Sequence, residues 1–314
     1  MFALVFASNA FAATAPLDFD AVNDAALVEP VGAKASAAAV LRAQILLQRA
    51  HFSVGEIDAG FGSNTRKAIT AYQSRRGLPA SGILDAASWA ALNMDVQPVL
   101  TRYTLSAADI DGPFVAVPKD MMDKAALPAL GYESALEALA EKFHSSPKLL
   151  TWLNPGVDLS QAEQEIIVPA VAGAALVQAA KVVVDRSEST VTLLDANGQV
   201  LSHYPASTGS EHDPLPVGDW KILAIAPNPS FHYNPALFWD ANPKHAKAKI
   251  PAGPNNPVGV VWVDLSKEHY GIHGTPEPAR VGKSQSHGCI RLTNWDAKAL
   301  SVAVIAGTPA LLQE

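Results

Sequence analysis

The chain has 314 residues, 49 % of them hydrophobic and 17 % charged, with a formal net charge of −7. That length supports two or three domains around a sizeable core, and that composition excludes wholesale disorder. With 23 basic against 30 acidic side chains and no short run of five Lys or Arg, a polybasic nucleic-acid or anionic-membrane binder is disfavoured.

Met1 to Ala13 is mostly apolar and ends in Ala10-Phe11-Ala12. This A-x-A pattern reads as the tail of a secretory signal peptide, residues 1–13, without the usual positive n-region; a disordered Ala-rich tail is the alternative. About 13 residues are too few to cross a bilayer, which takes about 20. Residues 14–37 are rich in Ala, Pro and Asp, lack periodicity, and read as a linker. From Val40 the apolar spacing turns helical through Ala43, Leu47 and Ala50, and repeats at Thr65, Ala68, Ile69 and Tyr72, with Ser63 or Asn64 as a cap. Asp85 caps a last short helix carrying Trp89 and Leu92. Residues 38–95 are expected to form a small three-helix bundle.

The FG-x-x-T-x-x-A-I-x-x-Y-Q spine and the later G-x-L-D of this unit resemble a small peptidoglycan-binding domain. One departure is Asp58-Ala59-Gly60, where the family has Asp-Gly at the turn. A generic helical spacer is the plain alternative. Residues 98–170 carry a helix through Leu136, Leu139, Ala140 and Phe143, a second begun by Pro147, and a strand at Ile166–Pro169. LEALAEKFHSSPKLLTWLNPG…IIVP is similar to a LysM module, a small glycan-binding βααβ fold, with Ala107 to Asp123 in place of the opening strand and turn. A connector without sugar affinity is the alternative reading.

From Lys181 the pattern turns strand-like, with runs at 181–185, 190–194 and 200–206 and an Asn197-Gly198 hairpin signal. Strands are expected at 220–222, 259–265 and 310–312. A late helix opens at Asn294, with Trp295, Ala299 and Val302 on one face. Residues 180–314 thus read as a mainly-β domain with one helix.

Cys289 is the sole cysteine, so no intrachain disulfide or multi-Cys metal site is possible. It sits in Ser286-His287-Gly288-Cys289-Ile290-Arg291, and His273 sits in Tyr270-Gly271-Ile272-His273-Gly274. A thiol at neutral pH is a poor nucleophile until an imidazole within reach takes its proton, leaving a thiolate stabilised by imidazolium. Glycine beside the cysteine permits a tight turn whose N–H groups converge on an oxyanion. In an extended segment Arg291 points to the same side as Cys289 and can hold a carboxylate. A lone cysteine or histidine is more often structural. The clustering of both in glycine-flanked motifs favours catalysis.

YGIHGT…SHGCIRL, with ASTGSEHDPLPVGDWKI and PAGPNNPVG upstream, closely resembles the L,D-transpeptidase catalytic domain of the YkuD type. Leu215 stands where that family has Thr. The resemblance implies Cys289 as nucleophile and His273 as general base, oriented by the carbonyl of Gly274. It implies an oxyanion hole from backbone N–H groups around His287, Gly288 and Cys289, with His287 a competitor for the base. Arg291, Ser286 and Tyr270 are the expected substrate-binding residues, Arg291 for a peptide carboxylate and Ser286 through bonding within its loop. No metal and no cofactor is expected. The implied partners are peptidoglycan stem peptides and glycan, and the implied location is the periplasm at the cell wall. The donor is a stem tetrapeptide that loses D-alanine. The acceptor is a second stem, an outer-membrane lipoprotein lysine, or water, the last giving a carboxypeptidase. A non-catalytic peptidoglycan-binding protein is the second class kept open. A papain-like protease is disfavoured by the sixteen-residue spacing and the β surroundings.

Overall fold

The computed structural model describes residues 17–286 and 288–314, so the expected signal segment lies outside the described residues. Among the described residues, no helix is long and apolar enough to cross a membrane.

The first unit contains α1 (Phe19–Asn23), α2 (Ala37–Arg49), α3 (Ser63–Arg75) and α4 (Ala86–Leu92). Ser36 caps α2, accepting from Ala39 N at 3.2 Å, and Asp85 caps α4, accepting from Ser88 N at 2.8 Å. At α3 the cap position is Gly62, and Ser63 is already helical. Leu41, Ile45, Ile69, Tyr72 and Trp89 bury their side chains in the shared core. Residues 17–36 depart from the expected linker. Val22 and Val31 are fully buried, Val31 pairs with Leu84 through backbone bonds of 3.0 and 3.1 Å, and Glu29 O accepts from Trp89 Nε1 at 2.7 Å. Such a segment shows no periodicity because it contributes single contacts and backbone pairs, not a repeating face.

The second unit runs through β1 (Leu100–Thr104), α5 (Ala107–Ile110), α6 (Met121–Ala125), α7 (Ala135–Lys142), α8 (Pro147–Leu153) and β2 (Glu165–Pro169). β1 and β2 pair antiparallel, and α7 and α8 pack on them around Leu139, Leu150, Ile166 and Val168. The opening strand is therefore present at 100–104. The acidic, Pro-containing stretch follows it as part of an insertion, 106–134, instead of replacing it.

The third unit contains β3 (Lys181–Asp185), β4 (Thr190–Leu194), β5 (Val200–Pro205), β6 (Gly218–Pro227), β7 (Phe231–Tyr233), β8 (Ala248–Ile250), β9 (Val261–Leu265), β10 (Gly271–His273), β11 (Ile290–Arg291), α9 (Asn294–Ala303) and β12 (Pro309–Gln313). Eight strands form one sheet in the order β11-β10-β9-β6-β12-β3-β4-β5. Ser207, just beyond β5, exchanges backbone bonds of 3.0 and 2.9 Å with Arg291, so the two edges of the sheet meet and the sheet curls closed. β7 and β8 pair separately as a short flap. Within the curl, α9 buries Ala297, Leu300 and Ala303 against strand residues such as Val182, Val263 and Ile272. Its cap is Thr293, not Asn294, and Val302, expected on one face with Trp295 and Ala299, is 77 % exposed while Trp295 is buried.

The three units are packed together. His203 exchanges backbone bonds with Ser53 and His51 at 2.8 and 2.9 Å, the His144 ring stacks on Trp295, and Ser53 Oγ donates to Asp296 Oδ2 at 2.8 Å. Asp296 is fully buried, and burial lifts its carboxyl to about 7, against hydrogen bonds that favour the anion. The folded form thus holds a proton that the unfolded form releases near 4. Stability is lost as pH rises between those two values and levels off above about 7. Asp296→Asn removes this dependence. Its urea midpoint relative to wild type is expected to rise from pH 5 to pH 7 and then stay level; a pH-independent difference would refute the buried neutral acid.

Candidate active site

β10 and β11 run parallel, with Ile272 opposite Ile290 and His273 opposite Arg291. The two isoleucines are fully buried on the core side. Alternation therefore turns His273 and Arg291, together with Cys289 two positions before Arg291, to the other face. There all three line a groove of about 1390 Å³, joined by Tyr270 and Trp262.

His273 is 3 % exposed and lies against the Trp262 ring, centroids 5.4 Å apart and planes within 15°. Its Nδ1 donates to the Gly274 carbonyl at 2.6 Å. A carbonyl can only accept, so the proton sits on Nδ1 and the lone pair on Nε2. Burial, then the neighbouring Arg291 cation, lower the imidazole to about 3. The Cys289 thiol is half-buried, and its Sγ lies 3.7 Å from the carbonyl of His269. Burial raises its pKa, opposed by a hydrogen bond from the Gly271 backbone and by Arg291. Both groups are therefore neutral at pH 7. Burial disfavours both charges of the thiolate–imidazolium pair expected from the sequence, and Arg291 disfavours the imidazolium further.

Gly288 has φ +95, and a Cβ there would lie 2.8 Å from Tyr270 Cε1, so this turn requires glycine twice over. Ser286 is expected at the substrate, yet it is buried and is not among the groove-lining residues. Its Oγ donates to the Cys289 carbonyl at 2.5 Å and braces the loop. Gly274 N donates to Val261 O at 3.2 Å, which fixes the carbonyl that holds His273. Arg291 is half-buried in the groove, and burial lowers its pKa. His287 lies outside the described residues. Among the described residues, no cluster of His, Cys, Asp or Glu is placed to hold a metal ion.

Two features of the site were missed at the level of sequence. Trp262 supports the imidazole, and the buried alternation of Val261, Val263 and Leu265 would have turned it to the groove. Lys119, Asp120 and Met121 of the insertion line the groove far from Cys289 in sequence, and no local pattern announces them. The assembled groups suit addition of sulfur to a carbonyl: a neutral thiol, a neutral imidazole with its lone pair on Nε2, and a nearby cation for negative charge.

The family model described as the L,D-transpeptidase catalytic domain matches residues 179–312, and that described as "Putative peptidoglycan binding domain" matches residues 36–92. A Bacillus licheniformis protein named "Putative L,D-transpeptidase YkuD" is 30 % identical over 175 residues, covering 55 % of this chain and 90 % of its own length. Its Bacillus subtilis namesake is 30 % identical over 174 residues, with the same coverage. Among solved structures, L,D-transpeptidase 3 from Mycobacterium tuberculosis covers 49 % of this chain and 75 % of its own, at 20 % identity and a TM-score of 0.36.

Proposed function

The chain belongs to the L,D-transpeptidase family, and from that premise we propose that it remodels the bacterial cell wall through a thioester on Cys289. The donor is a peptidoglycan stem tetrapeptide. Sγ of Cys289 adds to the carbonyl of the third residue as the thiol proton passes to Nε2 of His273. Backbone N–H groups of Gly288 and Cys289 hold the oxyanion. The intermediate then collapses, the C–N bond breaks, and D-alanine leaves with the proton from Nε2. An acceptor amine adds to the thioester, its proton goes to Nε2, and the thiol re-forms on release of the new amide. Arg291 binds a substrate carboxylate at the groove and lowers the energy of negative charge at sulfur.

The single observation that carries this reading is the 2.6 Å bond from His273 Nδ1 to Gly274 O, which fixes the tautomer whose free lone pair accepts the thiol proton. The 36–92 segment tethers the catalytic groove to the polymer and raises the local concentration of stems. The β1–α7–α8–β2 unit is assigned glycan contact in the manner of a LysM module. In this reading the enzyme works outside the cytoplasm, in the periplasm, on stems and glycan.

Mass spectrometry of products from disaccharide-tetrapeptides, with and without a lysine peptide of lipoprotein type, tests the proposal. Loss of D-alanine with a 3→3 dimer is the expected result. Adducts to the lysine peptide identify protein attachment, and a bare tripeptide identifies hydrolysis. No loss of D-alanine under any condition sinks the assignment.

A further inference from the structure

The 106–134 insertion leaves its own unit and packs on the flap of the catalytic domain. α6 lies against β8. Leu130, Tyr233 and Ile250 form a small buried core there, flanked by Met121, Leu127 and Phe238. Leu130 N donates to Ala252 O, and Asn255 N donates to Leu130 O, both at 3.0 Å. Gly253 approaches so closely that a Cβ on it would collide with the Leu130 carbonyl. A polar chain runs alongside. Asp120 Oδ1 accepts from Met122 N at 2.7 Å and caps α6, while Oδ2 meets His245 Nε2 at 2.9 Å. His245 Nδ1 meets Tyr233 OH at 3.0 Å. With the proton on Nε2 the chain is satisfied in one direction, from the Tyr233 hydroxyl through the ring to the carboxylate. The His245 side chain is 10 % exposed, so the ring at the centre of the chain is sheltered, while the Asp120 end, 41 % exposed, faces the groove and water.

Two strands of three residues cannot hold their own geometry in water. The order of the flap has to come from what it packs against, and on this side that is the insertion. Lys119, Asp120 and Met121 line the same groove as Cys289, His273 and Arg291. We propose that the insertion is a wall of the substrate groove and that Asp120 is a positioning residue, holding the flap in its peptide-binding position through His245 and Tyr233. The inference rests on the reading of the groove as the site for the stem peptide. It makes the preceding unit a determinant of substrate affinity as well as a tether.

The test uses full-length protein and a disaccharide-tetrapeptide, with calorimetric binding in a Cys289→Ala background and D-alanine release in the Cys289 background. Asp120→Ala is expected to weaken binding and raise KM by about fivefold or more, with kcat within about twofold and the thermal midpoint lowered by only about 2 °C, the effect of losing the α6 cap. Asp120→Asn keeps a capping oxygen and lets the chain run in reverse, from its amide through the ring to Tyr233, so affinity returns to within about twofold of wild type. Tyr233→Phe breaks the chain at its other end without touching the cap of α6; it is expected to reproduce the KM effect and decides the matter if Asp120→Ala does not fold. Affinity unchanged in both variants overturns the proposal. So does an affinity loss confined to Asp120→Ala and absent from Tyr233→Phe, which leaves the cap intact, or one that Asn does not repair. If wild type releases no D-alanine while the Cys289→Ala protein still binds the tetrapeptide in an Asp120-dependent way, the catalytic reading fails and this one stands.

Discussion

Cys289→Ala will abolish acyl-enzyme formation and lower D-alanine release by at least about a thousandfold, since the substitution removes the sole atom able to form the thioester. The fold is expected to survive. The thiol is half-buried, and its contact to the His269 carbonyl is a weak 3.7 Å bond, so deletion costs about 1 kcal/mol or less. Sacculus binding is expected to match wild type, because the 36–92 segment keeps its own core around Tyr72 and Trp89. Three measurements separate these claims: intact mass after donor exposure, a coupled assay for D-alanine, and pelleting with isolated sacculi. A variant releasing D-alanine at the wild-type rate would refute the thioester route.

The regular elements were legible because each carries a local cause. The Asn197-Gly198 turn is one case: Gly198 takes φ +78, and Asp195 accepts from Asn197 N at 2.8 Å, which closes the hairpin between β4 and β5. The cap at Asp85, which accepts from Ser88 N at 2.8 Å, is another, as is Pro147 in the first turn of α8. What sequence did not disclose depends on partners distant in the chain. The inner face of α9 is defined by the curl of the sheet, which buries Asp296 and leaves Val302 in water. The 17–36 segment is ordered by contacts with Leu84 and Trp89, more than fifty residues away.

The site divides in the same way. His273, Cys289 and Arg291 lie in short extended segments flanked by glycine, and their common face follows from strand alternation and the parallel register. Their charge states do not follow from sequence. The imidazole is neutral because Trp262 and the curled sheet remove water from it, and because Arg291 stands opposite it across the register. A wall donated by residues 119–121 is visible only once the insertion is seen to pack on the flap.

His273→Gln is expected to lower kcat/KM for D-alanine release by about 10²–10⁴, the usual worth of a positioned general base. Its pH dependence is the sharper readout. The wild-type imidazole is depressed to about 3, so its base form persists as pH falls from 7 toward 5, and His273 contributes no acid limb near the ordinary histidine value. In the glutamine variant the thiol must lose its proton to solvent. That thiol is held above its ordinary value by burial, so the variant's rate climbs about tenfold per pH unit between pH 6 and 8. The ratio of wild type to variant should therefore shrink steadily with rising pH. A standing ion pair would behave otherwise: the wild-type thiol would react with iodoacetamide at a rate flat from pH 5 to 8, and kcat/KM would fall on protonation of a charged couple. Alkylation rates and kcat/KM profiles taken on both proteins over that range decide between a neutral pair that ionises on attack and a pre-formed thiolate. The buried geometry, with one cation favouring charge on sulfur and disfavouring it on the ring, favours the first.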